Sequence, residues 1–124
     1  MTVLVDSDIL IEVSRGGNEA ILSEWGSLCE SRVVILYSPV SAAELWAGAR
    51  RDEYEATAQL FLSLDCAPID HSIGEMAGEF MRRYAKTHDL KLGDALIAAT
   101  ATKNRAQLWT RNRKHFPMPE VSFH

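Results

Sequence analysis

Apolar and polar positions follow two regimes along the chain. Val3-Leu4-Val5 and Val33-Val34-Ile35-Leu36-Tyr37 are unbroken apolar runs rich in strand formers. Such runs predict strands buried on both faces, as in parallel sheets. Elsewhere the apolar positions recur at helical spacing. Ile9, Leu10, Ile11 and Val13 predict a helix over about 8–14, which Ser7 or Asp8 can cap and Gly16-Gly17 ends. Asn18 can cap a helix over about 19–31 that carries Ile21, Leu22, Trp25 and Leu28. Ser38-Pro39 closes the second strand, and Ser41 opens a helix through Leu45, Trp46 and Ala49.

Beyond the polar break at Arg50-Arg51-Asp52, Tyr54–Leu64 reads as a helix with Leu60, Phe61 and Leu64 on one side. Residues 66–70 suggest a short strand and turn. A long helix over about 72–88 has the apolar stripe Ile73, Met76, Ala77, Phe80, Met81 and Tyr84, with Glu79 and Arg83 spaced to pair. Leu92-Gly93-Asp94 opens an alanine-rich helix to about residue 104, and 106–110 is a further strand. The tail from Asn112 is mostly loop, with a short strand at 120–123. Strands separated by helices predict one domain over residues 1–124: a three-layer α/β/α sandwich with a mainly parallel central sheet. Right-handed crossovers gather the strand ends along one sheet edge. That edge brings together Asp6, the Tyr37-Ser38 turn leading to Glu44, and Thr110, with Asp94 opening the preceding helix.

Composition narrows the class. At 124 residues and 47% hydrophobic, the chain is long and apolar enough for a full core, which excludes extended disorder. Its first residues lack a basic segment, and Asp6, Asp8 and Glu12 interrupt the apolar run, unlike a secretory signal. No apolar run approaches the ~20 residues of a membrane span. A soluble cytoplasmic domain is expected. Cys29 and Cys66 match no metal spacing and read as buried, reduced thiols.

The net charge of −4 hides an asymmetry: residues 1–80 hold fourteen Asp/Glu against four Lys/Arg, and residues 81–124 hold three against nine. An acidic part suits a metal and a basic part suits phosphate, although two ordinary solvated faces give the same counts.

Three carboxylates stand in telling contexts. Asp6 ends the first strand. Glu44 lies in Ser41-Ala42-Ala43-Glu44, and Asp94 begins an otherwise uncharged helix. Each also has a local explanation. Ser41 and Glu44 have the spacing of a capping box, Asp94 suits a helix start, and Asp6 suits a turn. Together they favour another reading. Asp6 follows a buried strand and Asp94 opens a helix that should be buried. Buried carboxylates without cationic partners usually hold metal. Hard cations such as Mg²⁺ or Mn²⁺ prefer these oxygens, and three or four acids suit a metal-dependent phosphodiesterase.

Four segments carry a family likeness: Val3-Leu4-Val5-Asp6-Ser7-Asp8-Ile9-Leu10, Ser38-Pro39-Val40-Ser41-Ala42-Ala43-Glu44-Leu45, Leu92-Gly93-Asp94-Ala95-Leu96-Ile97-Ala98-Ala99-Thr100-Ala101, and Leu108-Trp109-Thr110-Arg111-Asn112-Arg113-Lys114-His115-Phe116. In this order and spacing the chain resembles PIN-domain ribonucleases, most of all the VapC-type toxins of type II toxin–antitoxin pairs. The resemblance implies a Mg²⁺- or Mn²⁺-dependent endoribonuclease that cleaves RNA, such as tRNA or another structured RNA, by metal-activated water. It makes Asp6, Glu44 and Asp94 the metal-binding carboxylates and Thr110 the nearby hydroxyl. Asp8 becomes auxiliary.

Many relatives have a fourth acid after the last motif strand. Here Asn112 and His115 occupy the candidate positions, so Asn112 joins the catalytic set without a charge. One firm metal site is then expected, with a second metal recruited by the RNA phosphate. His115 is read as a surface histidine rather than a proton carrier.

The resemblance further implies a homodimer neutralised by a small antitoxin. Leu45, Trp46 and the Tyr54–Leu64 helix are candidates for an apolar groove or dimer surface, with Leu60 and Phe61 read as core. Arg111, Arg113, Lys114 and Arg82 are candidates for RNA contact, which gives affinity without sequence choice. Two related alternatives are a housekeeping PIN nuclease without an antitoxin and a non-catalytic PIN-like binding module. A third is an aspartyl phosphatase of the haloacid dehalogenase type. Its Asp-x-Asp pattern matches Asp6 and Asp8, but here Ile9-Leu10-Ile11 follows directly and no later acidic pair appears.

Overall fold

In the computed structural model, which describes residues 1–124, five parallel strands form one sheet in the order β3-β2-β1-β4-β5. The strands are β1 (Thr2–Val5), β2 (Val34–Tyr37), β3 (Asp65–Cys66), β4 (Gln107–Trp109) and β5 (Ser122–Phe123). The helices are α1 (Ser7–Arg15), α2 (Glu19–Glu30), α3 (Pro39–Gly48), α4 (Tyr54–Leu62), α5 (His71–His88) and α6 (Leu92–Lys103). Single 3-10 turns occur at Arg51–Glu53 and Arg113–His115. The expected three-layer sandwich is present, with the elements in the expected order, but β2 is not the fully buried strand its apolar run predicts: Val34 is 45% exposed and Ile35, Leu36 and Tyr37 are half-buried.

β1 sits at the centre, with Val3 opposite Ile35 on one side and Gln107 on the other. Its alternation divides two cores, because successive side chains leave opposite faces of a strand. Leu4 points to the face covered by α5 and α6, with Phe80, Ile97 and Leu108. Val3 and Val5 point to the face covered by α1–α4, with Ile9, Leu10, Phe61 and Trp109. No helix is long and apolar enough to cross a membrane.

Local details differ from the sequence expectations. α1 is capped by Asp6, whose carboxylate accepts from the Ser7 N–H, so neither Ser7 nor Asp8 is the cap. α3 begins two residues before Ser41. Ser38 is its cap and Pro39 fills its first turn, where a missing N–H costs nothing. The Ser41–Glu44 capping box is therefore not formed. Lys91, not Asp94, holds the cap position of α6.

Both cysteines are exposed rather than buried. Cys29 lies in the last turn of α2, and Cys66 lies on the two-residue edge strand β3. Glu79 pairs with Arg82 rather than Arg83, which reaches Glu120 at 2.6 Å. Leu45 and Phe61 are buried, Leu60 is half-buried, and Trp46 remains 42% exposed.

Candidate active site

The site grows from the end of β1. The Asp6 N–H donates to the Trp109 carbonyl at 2.9 Å, continuing the β1–β4 ladder to the last residue before α1. This fixes Asp6 at the carboxyl edge of the sheet, only 8% exposed. Its Oδ1 accepts from the Ser7 N–H and its Oδ2 from the Thr110 hydroxyl, both at 2.8 Å. The Thr110 oxygen in turn accepts from the Asn112 N–H at 3.1 Å. Each Asp6 oxygen keeps a further lone pair.

Glu44 arrives from α3. It accepts from the Ser7 hydroxyl at 2.9 Å, and that hydroxyl lies 3.0 Å from the Ser41 hydroxyl. A hydroxyl has one proton, so the consistent chain runs from Ser41 to Ser7 to Glu44. Ser7 and Ser41 are buried, and this link holds the first turn of α1 against α3. Asp94 arrives from the first turn of α6, with His115 Nδ1 3.8 Å from its Oδ2.

Asp8 stands in the first turn of α1. Its Oδ2 accepts from the Arg111 N–H and from the Asn112 side-chain amide, each at 3.0 Å. Its Oδ1 is buried and has no hydrogen-bond partner.

These residues line one cleft of about 510 Å³. Asp6, Ser7, Asp8, Glu44, Asp94 and Asn112 border it, together with the Lys91 ammonium and the His115 imidazole. Burial and this crowding of carboxylates act on the acids themselves. Asp6 is pushed up to about 6, mainly by burial and further by Asp8 and Asp94, against the bonds from Thr110 and Ser7. Burial also raises Asp8, tempered by the Arg111 N–H. Burial raises Asp94 too, with repulsion from Glu44 and Asp8 opposed by His115.

The sequence-predicted carboxylates Asp6, Glu44 and Asp94 thus share one cleft, with Asn112 beside them and Thr110 bonded to Asp6. Asp8 joins them more fully than a helix cap would. His115 is half-exposed, as expected of a surface histidine, yet it touches Asp94. The four basic candidates do not line the cleft. Arg111 pairs with Glu12 at 2.9 Å, and Arg82 pairs with Glu79 at the same distance. Arg113 donates to the His124 carbonyl and lies over the Phe123 ring, while Lys114 is exposed in the adjoining turn. Sequence reasoning missed Ser7, Ser41 and Lys91. The two serines lie inside the motif segments, but nothing in their spacing marks a contact across thirty-four residues.

A hard divalent cation fits this donor set. Four carboxylates face one cleft, and one of them has a buried oxygen without a partner. No group of three His, Cys, Asp or Glu side chains stands ready to hold a metal ion as it is placed here. The fit is therefore that of an open carboxylate set completed by water, the kind of coordination Mg²⁺ accepts.

The PIN domain family model matches residues 3–120. The chain is 41% identical over 119 residues to Ribonuclease VapC10 of Mycobacterium tuberculosis (strain H37Rv), covering 95% of this chain and 88% of that one. Its fold is similar to that of VapBC2 from Rickettsia felis, solved bound to a DNA fragment from their promoter. There the TM-score is 0.82 at 22% identity, over 100% of this chain and 98% of that one. A toxin–antitoxin complex from Klebsiella pneumoniae gives a TM-score of 0.72 at 27% identity, over 96% of this chain and 94% of that one.

Proposed function

The chain belongs to the PIN-domain family, and from that premise we propose that it is a Mg²⁺- or Mn²⁺-dependent endoribonuclease, the toxin of a toxin–antitoxin pair. One observation carries the chemistry: the buried Asp6 shares a cleft with Asp8, Glu44 and Asp94, and that cleft holds no equal number of cations. Asp6, Glu44 and Asp94 are the residues to hold the cation. When bound, it supplies an activated water and neutralises charge building on the phosphate.

The chain's own groups set the geometry. Thr110 and the Ser7 N–H hold Asp6, and the Ser7 hydroxyl holds Glu44. Asn112 and the Arg111 N–H hold Asp8 by one oxygen, leaving the other for water or the cation. Asn112 thereby acts through its amide protons, and its amide oxygen can still hold a water.

RNA is the substrate in this reading, tRNA or another structured RNA. The 41% identity to a protein named as a ribonuclease supports it. A small antitoxin is the partner, supported by the likeness to a toxin–antitoxin complex. Trp46 and Tyr54, packed edge to face at 6.0 Å, are exposed together with Leu62 and suit covering by the antitoxin or a second copy in a homodimer.

The test is cleavage of cellular RNA by the purified chain. EDTA should stop it and Mg²⁺ or Mn²⁺ restore it. Products should carry 5′-phosphates, because water attacks instead of the RNA 2′-hydroxyl. Cyclic phosphate ends, or cleavage in EDTA, overturn the reading. Sequencing the new 5′ ends in cells expressing the protein identifies the RNA.

A further inference from the structure

We propose that RNA leaves the acidic cleft along the loop joining α5 to α6, with Lys91 holding the phosphate next to the scissile one and His88 and His115 completing its seat. The proposal rests on the reading of the cleft as an RNA-cleaving site and adds to it a direction for the strand.

Charge drives the inference. An RNA strand entering the cleft meets Asp6, Asp8, Glu44 and Asp94. A bound cation offsets that field at the scissile phosphate, but the neighbouring phosphates need positive groups of the protein. The arginines nearest the site do not line the cleft: Arg111 reaches Glu12, and Arg113 reaches the carboxyl-terminal strand.

Lys91 is the cation that does line the cleft, with the His115 imidazole beside it. Both also line a second hollow of about 270 Å³, together with His88, Asp89, Leu90 and Asp94. The two hollows share Lys91, Asp94 and His115, so they join as one trough. Its carboxylate-rich end is at Asp6, and its far end is at His88.

The loop is built to hold that position. Leu90 is buried and anchors it against the α5–α6 core. Lys91 beside it is 71% exposed. Its ion pair is with Asp89 at 3.0 Å, also exposed, and such a pair is weak enough to exchange for phosphate. Lys is a compact cation suited to a phosphate oxygen. His88 is set by the Thr87 hydroxyl at 2.8 Å and by the edge of Tyr84. Each imidazole can donate an N–H to phosphate whatever its charge.

The experiment is fluorescence anisotropy with a labelled single-stranded RNA of mixed sequence, titrated at several salt concentrations, with Ca²⁺ replacing Mg²⁺ to prevent consumption of the RNA. Lys91→Gln should weaken binding about three- to ten-fold and flatten the plot of log affinity against log salt by about 0.7. Lys91→Arg should restore both. Asp89→Asn, acceptable in its left-handed conformation at φ 50°, should free Lys91 and tighten binding. Lys103→Gln, at the opposite end of α6, should change neither quantity.

In cleavage assays Lys91→Gln should raise KM and leave kcat nearly unchanged, which a merely structural role would not do. Unchanged affinity and slope in Lys91→Gln, or no RNA binding by the unsubstituted chain, overturns the seat. Cleavage with unaltered KM in Lys91→Gln removes the seat and leaves the nuclease reading standing. Lys91-dependent binding without any cleavage does the reverse.

Discussion

Asp6 is ionised at neutral pH against its surroundings, because burial and two neighbouring carboxylates raise its carboxyl from 3.8 to about 6. The folded chain therefore prefers the protonated form. The stability this contributes is present below about pH 4 and is lost as pH rises through about 6. A shift of this size corresponds to about 3 kcal/mol at full ionisation. Asp6→Asn keeps an acceptor for Thr110 and removes the charge. It should stabilise the metal-free chain by about 1–3 kcal/mol at pH 8 and by almost nothing at pH 4, read from denaturant melts across that range. An equal effect at both pH values contradicts the electrostatic account. It should also abolish RNA cleavage. Asp6 was legible from sequence because it ends the aliphatic run Val3-Leu4-Val5. Asp8 was placed at the helix start, but its orphan oxygen depends on how Arg111 and Asn112 fold back from β4. Lys91 had no signal at all: the loop Asp89-Leu90-Lys91 has no period, and its place beside Asp94 is a tertiary fact.

At the level of the element, α3 decides what Glu44 is free to do. Two serines competed to start this helix, and the Ser41–Glu44 spacing favoured the wrong one. Pro39 settles it, since its fixed φ suits a first turn and its absent N–H needs no partner. Ser38 then caps by accepting from the Val40 N–H at 3.1 Å, and Glu44 is released toward Ser7 and the cleft. Ser38→Ala should cost about 1 kcal/mol or somewhat more, as Ser38 is fully buried. Glu44→Gln keeps an oxygen for the Ser7 hydroxyl and should move stability by less than about 0.5 kcal/mol while abolishing metal-dependent cleavage. Urea unfolding beside a cleavage assay separates the two. Full activity in Glu44→Gln removes Glu44 from the metal ligands. The longer helices were legible because their apolar stripes repeat over several turns. The capping details were not, because a cap depends on which of several local bonds the fold permits.

The whole molecule is a sheet whose central strand ends in a carboxylate. Its layered, mainly parallel class was legible because apolar strand runs alternate with helices and the crossovers are right-handed, whereas the strand order β3-β2-β1-β4-β5 was not read from the sequence. The edge strands β3 and β5, two residues each, are too short to carry a periodic signal, and only pairing to β2 and β4 defines them. Three elements, α1, α3 and α6, deliver carboxylates to the same edge, so a cation held there as proposed would be coupled to folding of the entire sandwich. A ligand at about 100 times its Kd adds about 2.7 kcal/mol to the folded state. Mn²⁺ at that excess should therefore raise Tm by roughly 10 °C at pH 8. On the proposed reading a cation would compete with the proton on Asp6, so the shift should shrink as pH falls through about 6 and be nearly absent at pH 4.5. Asp94→Asn, which removes a carboxylate delivered by α6, should flatten the response at every pH. Calorimetric melts with and without Mn²⁺ check this. A metal-induced shift that ignores pH, or that survives Asp94→Asn, places the cation outside this cleft.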